Sequence, residues 1–182
     1  RSSESGGIRE FMSASGNVSV KQMAIHLSEI IIIIFTLFFV VSVYSSTERI
    51  SDVSCDDAAK AVLGEDMTAP DRSVAGTKLE FERTFGVTAS DYDGIIYFKP
   101  ESGMDVTEII IAKSSSQEAR DKLVKAIDDH LSQRRDVFQG YAPDQYALLM
   151  KAKAVESEGF VFCAVGDDTD KMYDLFYKAV RD

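Results

Sequence analysis

The chain has 182 residues, with 30 Asp and Glu against 20 Lys and Arg, and a formal net charge of -10 at pH 7. Charge of that sign is repelled by phosphate backbones and anionic headgroups, which argues against nucleic acid as a partner. The hydrophobic share of 45% is ordinary for a folded chain.

The acidity is not evenly spread. Up to Glu29, the cations Arg1, Arg9 and Lys21 balance Glu4, Glu10 and Glu29, so the whole negative charge lies beyond that point. Residues 1–22 are rich in Ser and Gly and are read as a polar N-terminal tail. Asn17-Val18-Ser19 has the form of a glycosylation sequon, in a segment expected on the cytoplasmic side.

Ile30 to Tyr44 contains no charge, no Gly and no Pro. A helix crossing the hydrocarbon core needs about 20 mostly apolar residues. Extension to residues 23–46 reaches that length, with His26 and Glu29 at one headgroup layer and Tyr44 as an aromatic anchor at the other. We therefore expect a transmembrane helix over 23–46. Competing readings are a secretory signal segment, with Val43-Tyr44-Ser45 as a poor cleavage site, a buried core helix, and a lipoprotein signal. Cys55 is too distant, in Asp-Val-Ser-Cys, to serve the last. Arg9 and Lys21 upstream tie with Arg49 and Lys60 downstream, so charge does not orient the span. An N-terminal span leading a domain outward places the C-terminal part outside the membrane.

After a linker at 47–53, residues 54–182 have the length of one domain. Ser54 caps a short helix ending at Gly64. A loop is expected over 64–78. Lys78 to Phe85 alternates like a strand, but Gly86 reads as a helix C-cap, and a helical turn is preferred. Gly94–Lys99 and Thr107–Lys113 are strands around a turn at Ser102-Gly103. Ser114 to Ser116 caps a long helix to Phe138, with Glu118/Lys122 and Asp121/Lys125 as i,i+4 pairs on its outer face. Pro143 opens a helix through Met150. Strands at Ala152–Glu156 and Phe160–Val165 flank a turn at Ser157-Glu158-Gly159, and a last helix starts at Asp167 or Asp168. The order ββ-αα-ββ-α after a first short helix implies an α+β fold, an antiparallel sheet of about four strands with helices packed on one face.

Two blocks carry a resemblance. One is Gly103 to Lys113 (GMDVTEIIIAK). The other is Ser132-Gln133, then Phe138-Gln139-Gly140-Tyr141-Ala142-Pro143-Asp144-Gln145-Tyr146, then Gly159-Phe160-Val161-Phe162. Over residues 54–182 the chain resembles the bacterial domain-of-unknown-function family 4358. The resemblance implies a small exported or membrane-anchored protein of a Gram-positive envelope. It brings no activity, cofactor or catalytic residue.

Catalytic signatures are missing: no G-x-S-x-G, no Walker loop, no G-x-G-x-x-G, no C-x-x-C. No cofactor and no metal site is expected. Gly166-Asp167-Asp168-Thr169-Asp170 lacks calcium-loop spacing and reads as a helix start in which one Asp caps. Asp91-Tyr92-Asp93-Gly94 reads as the turn before a strand. His130 borders an apolar stripe and reads as structural. Cys163, in Phe-Val-Phe-Cys-Ala-Val, reads as a buried small hydrophobe, and an oxidising compartment would permit a bridge to Cys55.

The Phe138 to Tyr146 corner stands apart. Gly140 and Pro143 are explained by the turn, whereas Tyr141, Gln145 and Tyr146 are not. They are structural, in which case Tyr141 is buried, or they form an interaction surface for an envelope protein, peptide or wall component. The structural role is preferred for Tyr141. The preferred overall function is a non-enzymatic, membrane-anchored binding domain. The alternative is a small envelope hydrolase using carboxylates for acid/base chemistry.

Overall fold

The computed structural model describes residues 23, 25–40 and 49–181. The predicted tail at 1–22 lies outside the described residues, as do 41–46 of the expected span. The chain divides into two compact units, Arg1–Glu48 and Arg49–Asp182.

In the first unit, α1 covers 25–40. Its apolar side chains point outward all round, from 42% exposure at Val40 to 71% at Phe38. Thr36 Oγ1 donates back to the carbonyl of Ile32 at 2.8 Å, so its hydroxyl is satisfied within the helix. Among the described residues no helix is long and apolar enough to cross a membrane.

The second unit is built on a five-stranded antiparallel sheet in the order β1-β2-β3-β5-β4. Its elements are α2 (Cys55–Leu63), β1 (Ser73–Ala75), α3 (Lys78–Phe85), a 3₁₀ turn (Ala89–Asp91), β2 (Gly94–Pro100), β3 (Glu108–Lys113), α4 (Gln117–Phe138), α5 (Pro143–Lys151), β4 (Val155–Ser157), β5 (Phe160–Val165) and α6 (Thr169–Arg181). The strand count exceeds the expected four by β1, which lies inside the predicted 64–78 loop. Its residue Val74 pairs with Lys99 of β2.

Local chemistry sets the boundaries. Ser54 caps α2 by accepting from Asp57 N, and Gly64 closes it. α3 is a helix, as preferred: Thr77 and Glu80 form a reciprocal capping box, and Gly86 ends it in the left-handed region at φ 62°. Ser116 caps α4 through Ala119 N. Between β4 and β5 the turn residues Glu158 and Gly159 both have positive φ, 52° and 86°. Two such residues match the right-handed twist of a hairpin. Glu158 is held there by Ser51 N, which donates to its carbonyl at 2.9 Å.

The helices do not pack on one face. α2 and α6 cover the side of the sheet carrying Phe98, Ile109, Ile111, Phe160, Phe162 and Ala164. α3, α4 and α5 cover the side carrying Tyr97, Ile110, Ala112, Val161, Cys163 and Val165. The expected two-layer sandwich is therefore a three-layer one. The physical reason lies in β3 and β5, whose residues Glu108–Ala112 and Phe160–Val165 are buried without alternation. A strand apolar on both faces needs cover on both.

Aromatic rings fill the α6 side. Phe162 stacks on Phe176 at 4.5 Å and meets Tyr173 edge-on at 5.1 Å. Arg120 is 2% exposed at the first turn of α4. Its Nε donates to Glu156 Oε1 at 2.5 Å and its Nη1 to the carbonyl of Ser114 at 2.8 Å, so α4 is tied to β4 by a paired buried charge. Cys55 and Cys163 are free thiols. They belong to the packing on opposite faces of the sheet, so no disulfide links them.

Candidate functional site

Features open to chemistry gather where β2 ends, β3 begins and β5 ends. Alternation along β3 splits them between the two faces. Glu108 sides with Ile110 toward α4, and Thr107 with Ile109 toward α2 and α6.

On the α4 side lies the corner between α4 and α5. Phe138, 2% exposed, plugs the core at the end of α4. The amides of Tyr141 and Ala142 both turn back to its carbonyl, at 3.3 and 3.2 Å. Pro143 then opens α5. Tyr141 stacks on Phe138 with ring centroids 5.3 Å apart, yet it is 51% exposed. The expectation that Tyr141 is buried is not met, because Phe138 already fills the space beneath.

Gln145 has a framework role instead. Its Oε1 accepts from the amide of Val106 at 3.1 Å, which pins the β2–β3 turn to α5. Arg134 reinforces that link by donating to the carbonyl of Asp105 at 2.5 Å, and its guanidinium carbon sits 5.3 Å from the centre of the Phe138 ring. Tyr146 is half buried against the core. Of the three residues singled out from sequence, Tyr141 alone presents most of its ring to solvent. Exposed Val137 (58%) and Met104 (62%) belong to the elements joined at this corner.

Beneath the corner lies a polar network that sequence reading missed. Glu108 is 1% exposed. Its Oε1 accepts from Tyr97 OH at 3.0 Å, and its Oε2 lies 2.9 Å from His130 Nε2. With the carboxylate ionised, Nε2 carries the proton and donates. His130 is therefore structural, and its ring also meets Phe85 edge-on at 5.3 Å. Burial, and then the facing Glu108 carboxylate, push the Tyr97 phenol above its ordinary range.

On the other face, a cavity of about 330 Å³ opens between α2, the 68–72 loop, Thr107, the end of β5 and α6. The predicted helix start at 166–170 lies at its mouth. The hydroxyl that closes that turn belongs to Thr169 rather than to an Asp: it donates to the carbonyl of Gly166 at 2.7 Å and accepts from its amide at 3.0 Å. Asp167 and Asp168 are left exposed.

A second cavity, of about 430 Å³, is lined by Asp52, Cys55, Lys78, Asp93 and Lys113 among others. Burial pushes the Cys55 thiol up to about 12. It donates to the carbonyl of Ile111 at 3.6 Å, so at neutral pH it is not a thiolate nucleophile. Lys113 Nζ is engaged by the carbonyl of Val53 at 2.7 Å. Burial raises the Cys163 thiol further still. Among the described residues, no group of three or more His, Cys, Asp or Glu could hold a metal ion.

No curated protein and no solved structure matches the chain. A family model does, over residues 68–166, more than half of the chain. That segment is narrower than the 54–182 over which the resemblance was read, and it leaves α2 and α6 outside. Its two ends, Thr68 and Gly166, both line the α6-side cavity. By this match, the chain belongs to the family described as Domain of unknown function (DUF4358).

Proposed function

We propose that the chain is a non-enzymatic binding domain of the bacterial envelope, held at the cell membrane by its N-terminal helix and facing outward. It docks a protein or peptide on the α4–α5 corner. The observation that carries the docking reading is Tyr141, a half-exposed ring stacked on a buried one. It therefore offers a rigid contact with little side-chain entropy to lose. Exposed Val137 on α4 and Met104 in the β2–β3 turn add apolar surface on the elements that meet at this corner. Arg134 and Gln145 tie the β2–β3 turn to the corner and so hold that surface in one shape.

Support for the membrane reading comes from α1. Its Ile, Leu, Phe and Val side chains from Ile30 to Val40 are 42–71% exposed, a surface that water disfavours and lipid accepts. The apolar sequence continues through residues 41–44.

Both parts are testable. Protease added to intact cells should remove the Arg49–Asp182 unit and spare the N-terminal tail. Protection of that unit would overturn the orientation, and recovery of a soluble form starting near Ser45 would replace the anchor with a cleaved signal. Tyr141→Ala should keep the parent melting temperature and lose an envelope partner that Lys125→Ala retains. Turnover of hydrolase substrates, abolished by one carboxylate substitution, would reverse the non-enzymatic reading.

A further inference from the structure

We propose that the cavity beside α6 binds a small zwitterion, an amino acid or the end of a short peptide, at a site separate from the Tyr141 corner. Its volume of about 330 Å³ is at the lower end for small-molecule sites, which span about 300–1,000 Å³. Its apolar wall is shared among three elements, Val62 and Leu63 of α2, Pro70 of the loop and Met172 of α6. Charge gathers on the rest of the lining, with the carboxylates of Asp71, Asp167 and Asp168 and the guanidinium of Arg72. Among the described residues, none of these four side chains makes a hydrogen bond or ion pair. Arg72 is held in place by its backbone, at φ 64°, with its carbonyl accepting from Glu101 N at 2.9 Å.

The observation that points to a ligand is Thr107. It is 5% exposed and lines the cavity. Its hydroxyl has no hydrogen-bond partner among the described residues. Yet it is not sealed away: the one fully enclosed side-chain polar atom without a partner, among those residues, is Arg134 Nε. A buried hydroxyl left unpaired is costly. Thr107 lines the cavity, so whatever enters it comes within reach of that hydroxyl.

The lining selects the chemistry. The carboxylates suit an ammonium group, and Arg72, the only cation of the lining, presents the planar fork that a carboxylate accepts. The Thr107 hydroxyl adds a neutral donor and acceptor. The apolar wall suits a short aliphatic side chain. A bare metal ion would leave both the wall and the guanidinium unused.

The test is calorimetric titration of the full chain in mild detergent with L-alanyl-L-leucine, its N-acetylated form and its C-terminal amide, and with free L-leucine. The dipeptide should bind. Acetylation should weaken binding by at least about tenfold, as should the double variant Asp167→Asn/Asp168→Asn, and amidation should act through Arg72, so that Arg72→Gln abolishes its effect. Free leucine binding as tightly as the dipeptide would assign an amino acid; weaker binding would assign a peptide end. Thr107→Val is the decisive variant. Its hydroxyl has no protein partner to lose, so it should melt at or above the parent temperature while affinity falls by about tenfold. Tyr141→Ala should leave the affinity unchanged, which keeps this site separable from the corner. The proposal is overturned by no binding of dipeptide or leucine at about 10 mM, by equal binding of the acetylated form, or by a saturable calcium signal that the Asp variants remove. It is also overturned if Thr107→Val loses stability and keeps its affinity.

Discussion

His130→Leu should destabilise the Arg49–Asp182 unit well beyond the usual cost of a helix-surface change. In the parent, the Glu108 carboxylate, 2% exposed, has two donors, Tyr97 OH at 3.0 Å and His130 Nε2 at 2.9 Å. Leucine fills the ring's volume against Phe85 but leaves that buried carboxylate with one donor. Removing one partner of a fully buried charged pair costs roughly 3–5 kcal/mol. His130 is 18% exposed, which lets water reach the vacated position. The expected loss is therefore smaller, about 2–3 kcal/mol. For a unit of this size that lowers the melting temperature by roughly 6–12 °C. The same variant read by urea denaturation should lower the midpoint with no change in slope.

The decisive comparison is the triple variant Tyr97→Phe/Glu108→Leu/His130→Leu. It removes the three buried members together; Thr84, which also bonds the Tyr97 hydroxyl, is exposed and can turn to water, so the variant should recover most of the lost stability. A His130→Leu protein within about 0.5 kcal/mol of the parent, or a triple variant less stable than the single one, would refute this account of the network.

Other outcomes follow from the same structure. Hydrogen bonds from Lys99 and then from the Thr77 amide and hydroxyl hold the Glu80 carboxyl down at about 2. A carboxyl lowered on folding stabilises at pH values above its unfolded value and loses that contribution as pH falls from about 4.5 to about 2. Carboxyl NMR should show Glu80 titrating near the low value, and Lys99→Met should move it upward. Cys55 and Cys163 are both buried, and burial raises both thiols. Neither should react with iodoacetamide at neutral pH until urea unfolds the unit, and mass spectrometry after a timed pulse reads this directly. A Cβ added at Gly94 would stand 2.7 Å from Cys55 Cβ. Gly94→Ala should therefore cost about 1–3 kcal/mol in a melt, and Cys55→Ala leaves the clash in place.

The helices and inner strands were legible because their signals are local. Ser54, the Thr77–Glu80 box, Ser116, Pro143 and the glycines at 64 and 86 all act within a turn of where they stand. β1 was missed because Ser73-Val74-Ala75 carries no alternation that a loop would lack; its strand character comes from pairing with β2. The second helical layer was missed although IIIA and FVFCAV run apolar without a break. That pattern states burial on both sides, whereas the element order alone suggested one. Tyr141 was misplaced because local sequence does not reveal that Phe138 already occupies the space below. Nothing in TEIIIAK marks Glu108 as buried. Its partners Tyr97 and His130 lie 11 and 22 residues away, and only the packed fold joins them. Thr107 gave no signal at all, since a hydroxyl without a partner can be recognised only when every neighbour is in place.

The sheet ends on both sides in strands of three residues, β1 and β4. Each offers an incoming chain too few free amides and carbonyls to template a new strand. Recruitment by extending the sheet, and fibre growth by the same route, are both disfavoured. On the binding reading proposed above, a partner would therefore engage a side chain or enter a hollow, and selectivity would rest on the chemistry of those residues rather than on backbone pairing, which any extended polypeptide could supply.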